Sequence, residues 1–118
     1  MGFMNSGGGG SISGLTATGP QLNAAANEFI KSTPTAGTTQ TLDGATLITT
    51  GIAVVTVGNN NDGVRLSSSI LRQLVVNSYP ANSLLVYPND ANHQIDALGN
   101  GNPYSLAPLA QREFIITY

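Results

Sequence analysis

The sequence contains no cysteine, which excludes disulfides, thiolate metal ligation and cysteine nucleophiles and leaves the redox compartment open. It contains no tryptophan and little charge. There are 4 Lys+Arg and 6 Asp+Glu in 118 residues, or 8% charged, against an ordinary share of about 25%. The basic residues, Lys31, Arg65, Arg72 and Arg112, are too few and too scattered for a phosphate-binding stripe, so no nucleic-acid partner is expected. A hydrophobic share of 41% with a net charge of −2 argues against a wholly disordered chain. No apolar run approaches the ~18 residues that span a membrane, and no membrane partner is expected. The start lacks the basic and apolar regions of a signal peptide. Met1-Gly2-Phe3-Met4-Asn5-Ser6 matches a myristoylation template in its letters, but no basic cluster follows to reinforce a single acyl chain.

The length suits one domain. Thr, Asn, Ser, Gln and 14 Gly, in place of charge, keep its surface wet. Residues 1–19 stand apart, with Gly7 to Gly10 in a row. That run has neither the lysine nor the following helix of a phosphate loop, so it reads as an extended arm. Ordering so much glycine costs entropy, and contact with a neighbouring chain would offset it. Phe3, Ile12 and Leu15 are the arm's apolar anchors for such a contact. From 21 to 31, Leu22, Ala25, Ala26, Phe29 and Ile30 fall at helical spacing, with Asn23 as a cap and Pro34 as a stop, which predicts one short helix or turn.

After Thr35 the pattern is β. Residues 38–42 and 45–50 flank Asp43-Gly44, a hairpin-type dipeptide. The stretch 52–57 is β-branched and runs into the polar loop 58–63, which ends in a second Asp-Gly. Strands are expected at 64–67, 72–77, 84–87, 104–106 and 112–118. The stretch 89–103 reads as a long corner with a tight turn around 95–99. No tandem repeat of fixed period is visible. Seven or eight short strands with frequent turn signals predict an all-β fold, an antiparallel β-sandwich or jelly-roll-like domain over 37–118. Residues 1–36 are then the extended Gly-rich N-terminal arm and a short connector.

Chemistry is sparse. His93 is the single histidine and lies between Asp90 and Asp96 in a D-x-x-H-x-x-D spacing. A zinc site needs three or four ligands, preferably His or Cys, so this reads as an exposed turn histidine. The loop 59–63 is rich in oxygen but lacks the spacing and terminal glutamate of a calcium loop. Glu28, Asp43, Asp62, Asp90, Asp96 and Glu113 are scattered, and no serine sits in a nucleophile elbow. No enzyme, cofactor, metal or small-molecule substrate is expected. Tyr79, Tyr87, Tyr104 and Tyr118 either line a sugar-binding face or pack at strand ends with their hydroxyls in water.

Taken in order, several short passages carry a resemblance. They are Gly37-Thr38-Thr39-Gln40, Val54-Val55-Thr56-Val57, Asp62-Gly63-Val64-Arg65-Leu66, Val75-Val76-Asn77, Leu85-Val86-Tyr87-Pro88, Ile95-Asp96-Ala97-Leu98-Gly99, Tyr104-Ser105-Leu106-Ala107-Pro108 and Phe114-Ile115. Over roughly the last two-thirds of its length the chain resembles a β-rich module of tailed-bacteriophage virion proteins. That module occurs in capsid decoration (cement) proteins and in fibre-associated segments. The chain departs from the pattern at Leu66-Ser67, where related sequences tend to have Leu-Pro. The resemblance implies a structural protein on the outer surface of the virion capsid. Its implied partners are the major capsid protein and two further copies of itself in a homotrimer. A phage tail-fibre or receptor/carbohydrate-binding virion module is the alternative.

Overall fold

The computed structural model describes residues 30–116. Among them are eight strands and no helix: β1 (Lys31–Ser32), β2 (Thr46–Leu47), β3 (Ile52–Val55), β4 (Asp62–Arg65), β5 (Arg72–Asn77), β6 (Leu84–Tyr87), β7 (Tyr104–Leu106) and β8 (Gln111–Ile115). They form two four-stranded mixed sheets, ordered β1-β3-β5-β8 and β2-β4-β6-β7. Up to β6 the chain changes sheet at every strand, so it winds as a flattened coil. Ile52 pairs with Leu74 and Asp62 with Leu84, each 22 residues further along the chain. After β6 the direction reverses. β7 runs antiparallel to β6, and β8 antiparallel to β5, so one reversed rung closes this end of the coil.

Strand alternation explains where the core sits. Ala53, Val55, Val75 and Phe114 of the first sheet meet Val64, Leu84, Val86 and Leu106 of the second in one buried cluster. The intervening Ile52, Val54, Leu74 and Val76 face outward, half-buried, and are paired across β3 and β5. β-Branched and aliphatic side chains at alternate positions satisfy both faces of such a ladder.

Corners are the difficult part of a coil, because their backbone groups leave the ladder and still need partners. Amide side chains supply them. Gln73, fully buried, accepts from Ser67 N–H at 2.7 Å and donates to the carbonyls of Ser67 and Ile70 at 3.0 and 3.1 Å. Asn77, also fully buried, donates to the carbonyls of Asn82, Leu106 and Ala107 at 2.7, 3.2 and 3.2 Å and accepts from Tyr79 N–H at 3.1 Å. Its ladder partner in the preceding coil is Val55. The apolar column changes to asparagine where the loop between β5 and β6 and the turn between β7 and β8 have to be fastened together.

Several sequence expectations are corrected here. The sheets are mixed, not antiparallel: four of the six strand pairings are parallel. Alternation reports which side chains face inward, not which strand lies alongside, and parallel neighbours require the long crossovers that the coil corners provide. Asp43-Gly44 makes no hairpin. Gly37 and Gly44 instead close the neck of a loop, so tightly that a Cβ on Gly37 would lie 2.0 Å from the Gly44 carbonyl oxygen. The second Asp-Gly, Asp62-Gly63, lies inside β4. A repeat does exist, of register and not of letters: over one coil step only Val54/Val76, Asn60/Asn82 and Val64/Val86 are identical. Within the expected connector, Lys31–Ser32 forms β1 against β3, and Ala36 is buried in the core. The remainder of the arm, with Phe3, Ile12 and Leu15, and the expected helix up to Phe29 lie outside the described residues, while Lys31 is in a strand.

Candidate functional site

One groove, of about 420 Å³, opens where the end of β8 meets the corner that follows β6. Leu66, Ile95 and Phe114, all buried, form its floor, and Ile115 and Ile116 form one wall. Asn89, His93, Gln94, Asp96 and Arg112 supply the polar rim. The corner carrying that rim is tied down at several points. Arg65 Nη1 donates to the Asn89 carbonyl at 3.3 Å. Leu98 N–H closes a tight turn on the Ile95 carbonyl at 3.1 Å, as the 95–99 turn signal predicts. Gly101 N–H donates to the His93 carbonyl at 2.8 Å.

Arg112 organises the rim. Its guanidinium meets Asp96 through two contacts of 3.0 Å, one from each terminal nitrogen. It also lies over the rings of Tyr104 and Phe114, at 4.5 and 4.9 Å from their centroids, and those rings meet edge to face. The hydrogen bond from Arg112, with its charge behind it, holds the Asp96 carboxyl below its usual range, and Asp96 in turn raises Arg112. The groove therefore has an apolar floor and a rim whose arginine and aspartate neutralise one another.

The D-x-x-H-x-x-D trio is divided by this arrangement. His93 Nδ1 lies 2.6 Å from Asp90 Oδ1, and that hydrogen bond is the first cause of the lowered Asp90 pKa. Asp96 turns away to Arg112. Among the described residues no three His, Cys, Asp or Glu side chains come together to hold a metal ion. The oxygen-rich loop 59–63 is a coil corner. Asp62 faces inward and accepts from Asn59 N–H at 2.9 Å, and Asn60 Oδ1 accepts from Ser83 N–H of the next corner at 2.9 Å.

The tyrosines do not share a face. Tyr87 is buried, which pushes its hydroxyl up, and its ring covers Gly63, where a Cβ would stand 2.9 Å from Tyr87 Cε2. Tyr104 packs beneath Arg112. Tyr79 is exposed near the other end of β5, and Tyr118 lies outside the described residues.

Two residues escaped the sequence reading. Arg112 is one of only four basic residues, and its pairing with Asp96 across a 16-residue separation leaves no local signature. Leu109 is the most exposed large apolar side chain described, at 66%. The Pro108-Leu109 turn was its only available signal. Comparison with family models, with curated proteins and with solved structures finds no match.

Proposed function

We propose that this is a structural virion protein, a capsid decoration or cement protein that binds the shell of major capsid protein from outside and stabilises it. On this reading the two packed sheets are the body of a sandwich and the Gly-rich N-terminal residues its attachment arm. The working form is a homotrimer without catalytic role, cofactor or small-molecule substrate.

The observation that carries the proposal is the character of the surface. Seven large apolar side chains are exposed among the described residues, Ile30, Leu47, Leu71, Tyr79, Leu98, Leu109 and Ile115. Charge is scarce, and two of the four basic residues already face their own chain's carboxylates, Arg72 with Glu113 and Arg112 with Asp96. Such a surface favours contact with other protein surfaces and offers little to a charged ligand. The resemblance of the 37–118 segment to phage virion modules supplies the type of partner.

The direct test is to locate the chain in virions by electron microscopy at side-chain resolution, with binding to undecorated shells measured by co-sedimentation. Surface ion pairs contribute only ~0–1 kcal/mol and are screened at high salt. Occupancy should therefore change little between roughly 0.1 and 1 M salt, where the screening length falls from about 10 to 3 Å. Absence from the shell surface would overturn the assignment. A steep loss with salt would overturn the apolar mode of attachment.

A further inference from the structure

The two strands of the reversed rung, β7 and β8, are joined by a turn with an unusual residue at its tip. Ala110 N–H closes onto the Ala107 carbonyl at 3.0 Å, with Pro108 second in the turn and Leu109 third at φ 60°. That is the pattern of a type II turn, whose third position ordinarily takes glycine because φ is positive there. Here it holds a leucine that is strained and 66% exposed. Strain of this kind persists only where the surroundings impose it. The surroundings are visible: Leu109 N–H donates to the Tyr79 carbonyl at 3.2 Å, and buried Asn77 grips both the Ala107 carbonyl and Tyr79 N–H from beneath. Tyr79, Pro80, Pro108 and Leu109 thus form a rigid, uncharged knob made of two loop tips.

A receptor for such a tip lies on the same chain. The groove has a floor of Leu66, Ile95 and Phe114 with Ile115 and Ile116 beside it, beneath a polar rim whose arginine and aspartate are paired with each other. Its volume of about 420 Å³ lies within the ~300–1,000 Å³ of pockets that take whole small ligands, so a leucine and a tyrosine ring fit. The knob precedes Gln111 and the groove surrounds Ile115, so they occupy opposite ends of β8. At about 3.4 Å per residue, roughly 14–17 Å of rigid strand separates them. They cannot meet within one molecule.

We propose that the Leu109 knob of one copy seats in the Leu66–Ile95–Phe114 groove of a second copy, a head-to-tail contact repeated around the assembly. Contacts of this kind close into rings when the rotation allows and otherwise run on as filaments. The contact deepens the homotrimer proposed above and rests on it only for closure at three.

Because the chain has no cysteine, engineered ones report cleanly. Leu109→Cys and Ile115→Cys proteins, mixed under mild oxidation, should cross-link to each other well above the level of either alone. Leu109→Gly removes the side chain and relieves the positive φ, so it should fold normally and assemble at least about tenfold more weakly in sedimentation. If the unmodified chain forms trimers but Leu109→Gly does so equally well and the cysteines do not join, this contact is wrong and the trimer stands. If the unmodified chain is a monomer at every concentration, contact and trimer both fall. Loss of Leu109→Gly from shells in that case would make the capsid protein the knob's receptor.

Discussion

Replacing Asn77 tests how the reversed rung is held. Its side chain has two N–H donors directed at three carbonyls and one oxygen that accepts from Tyr79 N–H, all in a fully buried position. Asn77→Ala removes about three hydrogen bonds at ~1 kcal/mol each. It also strands buried backbone groups of the 78–82 and 106–110 loops, which adds about 1 kcal/mol or more after water recovers some of them. The expected loss is about 4 kcal/mol, a large part of the ~5–15 kcal/mol that stabilises an ordinary domain. Urea unfolding followed by circular dichroism should show the midpoint falling by roughly 2–3 M, for a slope of about 1.5–2 kcal/mol per M. Asn77→Val copies the residue at the matching position of the preceding coil, Val55, and should fare no better, because the need is for donors and not for volume. The internal control is Asn82→Ala, which removes one side-chain bond, to the Val57 carbonyl at 2.9 Å, and should cost about 1 kcal/mol. If Asn77→Ala costs no more than Asn82→Ala, the claim that this residue fastens two loops is refuted.

Other consequences follow from single contacts. Gly37→Ala would place a methyl 2.0 Å from a backbone oxygen that no side-chain rotation can relieve, so a loss of about 3 kcal/mol or more is expected in the same urea assay. Leu109→Gly should raise the stability of the isolated chain by about 1 kcal/mol through relief of its left-handed backbone, and an unchanged or lower midpoint would argue against strain at this turn. Asp96 and Asp90 have folded pKa values below the ordinary carboxylate value of 3.8. Their contribution is therefore complete above that value and lost as pH falls through the folded pKa. Urea midpoints recorded between about pH 2 and 5 should accordingly fall less steeply for Asp96→Asn than for the unmodified chain. Arg112→Met should cost about 1 kcal/mol at neutral pH through its lost ring stacking, and a neutral outcome would show that the stack on Tyr104 and Phe114 is only geometric.

Much of the local structure was legible because it depends on neighbours in the chain. Arg72–Asn77, Leu84–Tyr87 and Tyr104–Leu106 form strands with the bounds that alternation and turn residues predict, since the two-residue period is written directly into the order of apolar and polar side chains. The turn at 95–98 follows for the same reason. The scarcity of charge, legible from composition, reappears as a surface of apolar tips and self-paired arginines.

Tertiary structure decided the rest. Whether Ile52 would pair with Leu74 in parallel or with some strand running the other way depends on how the corners at 58–61 and 66–71 carry the chain between sheets. No alternation pattern encodes that path, and three identical residues per coil step are too few to reveal a repeat by eye. Asp90, His93 and Asp96 look like one constellation in the sequence. Only the fold brings Arg112 to Asp96 from 16 residues away and separates the trio. The knob and groove are placed at opposite ends of β8 by the chain reversal after β6, a rearrangement of long-range pairings that residue order alone does not specify.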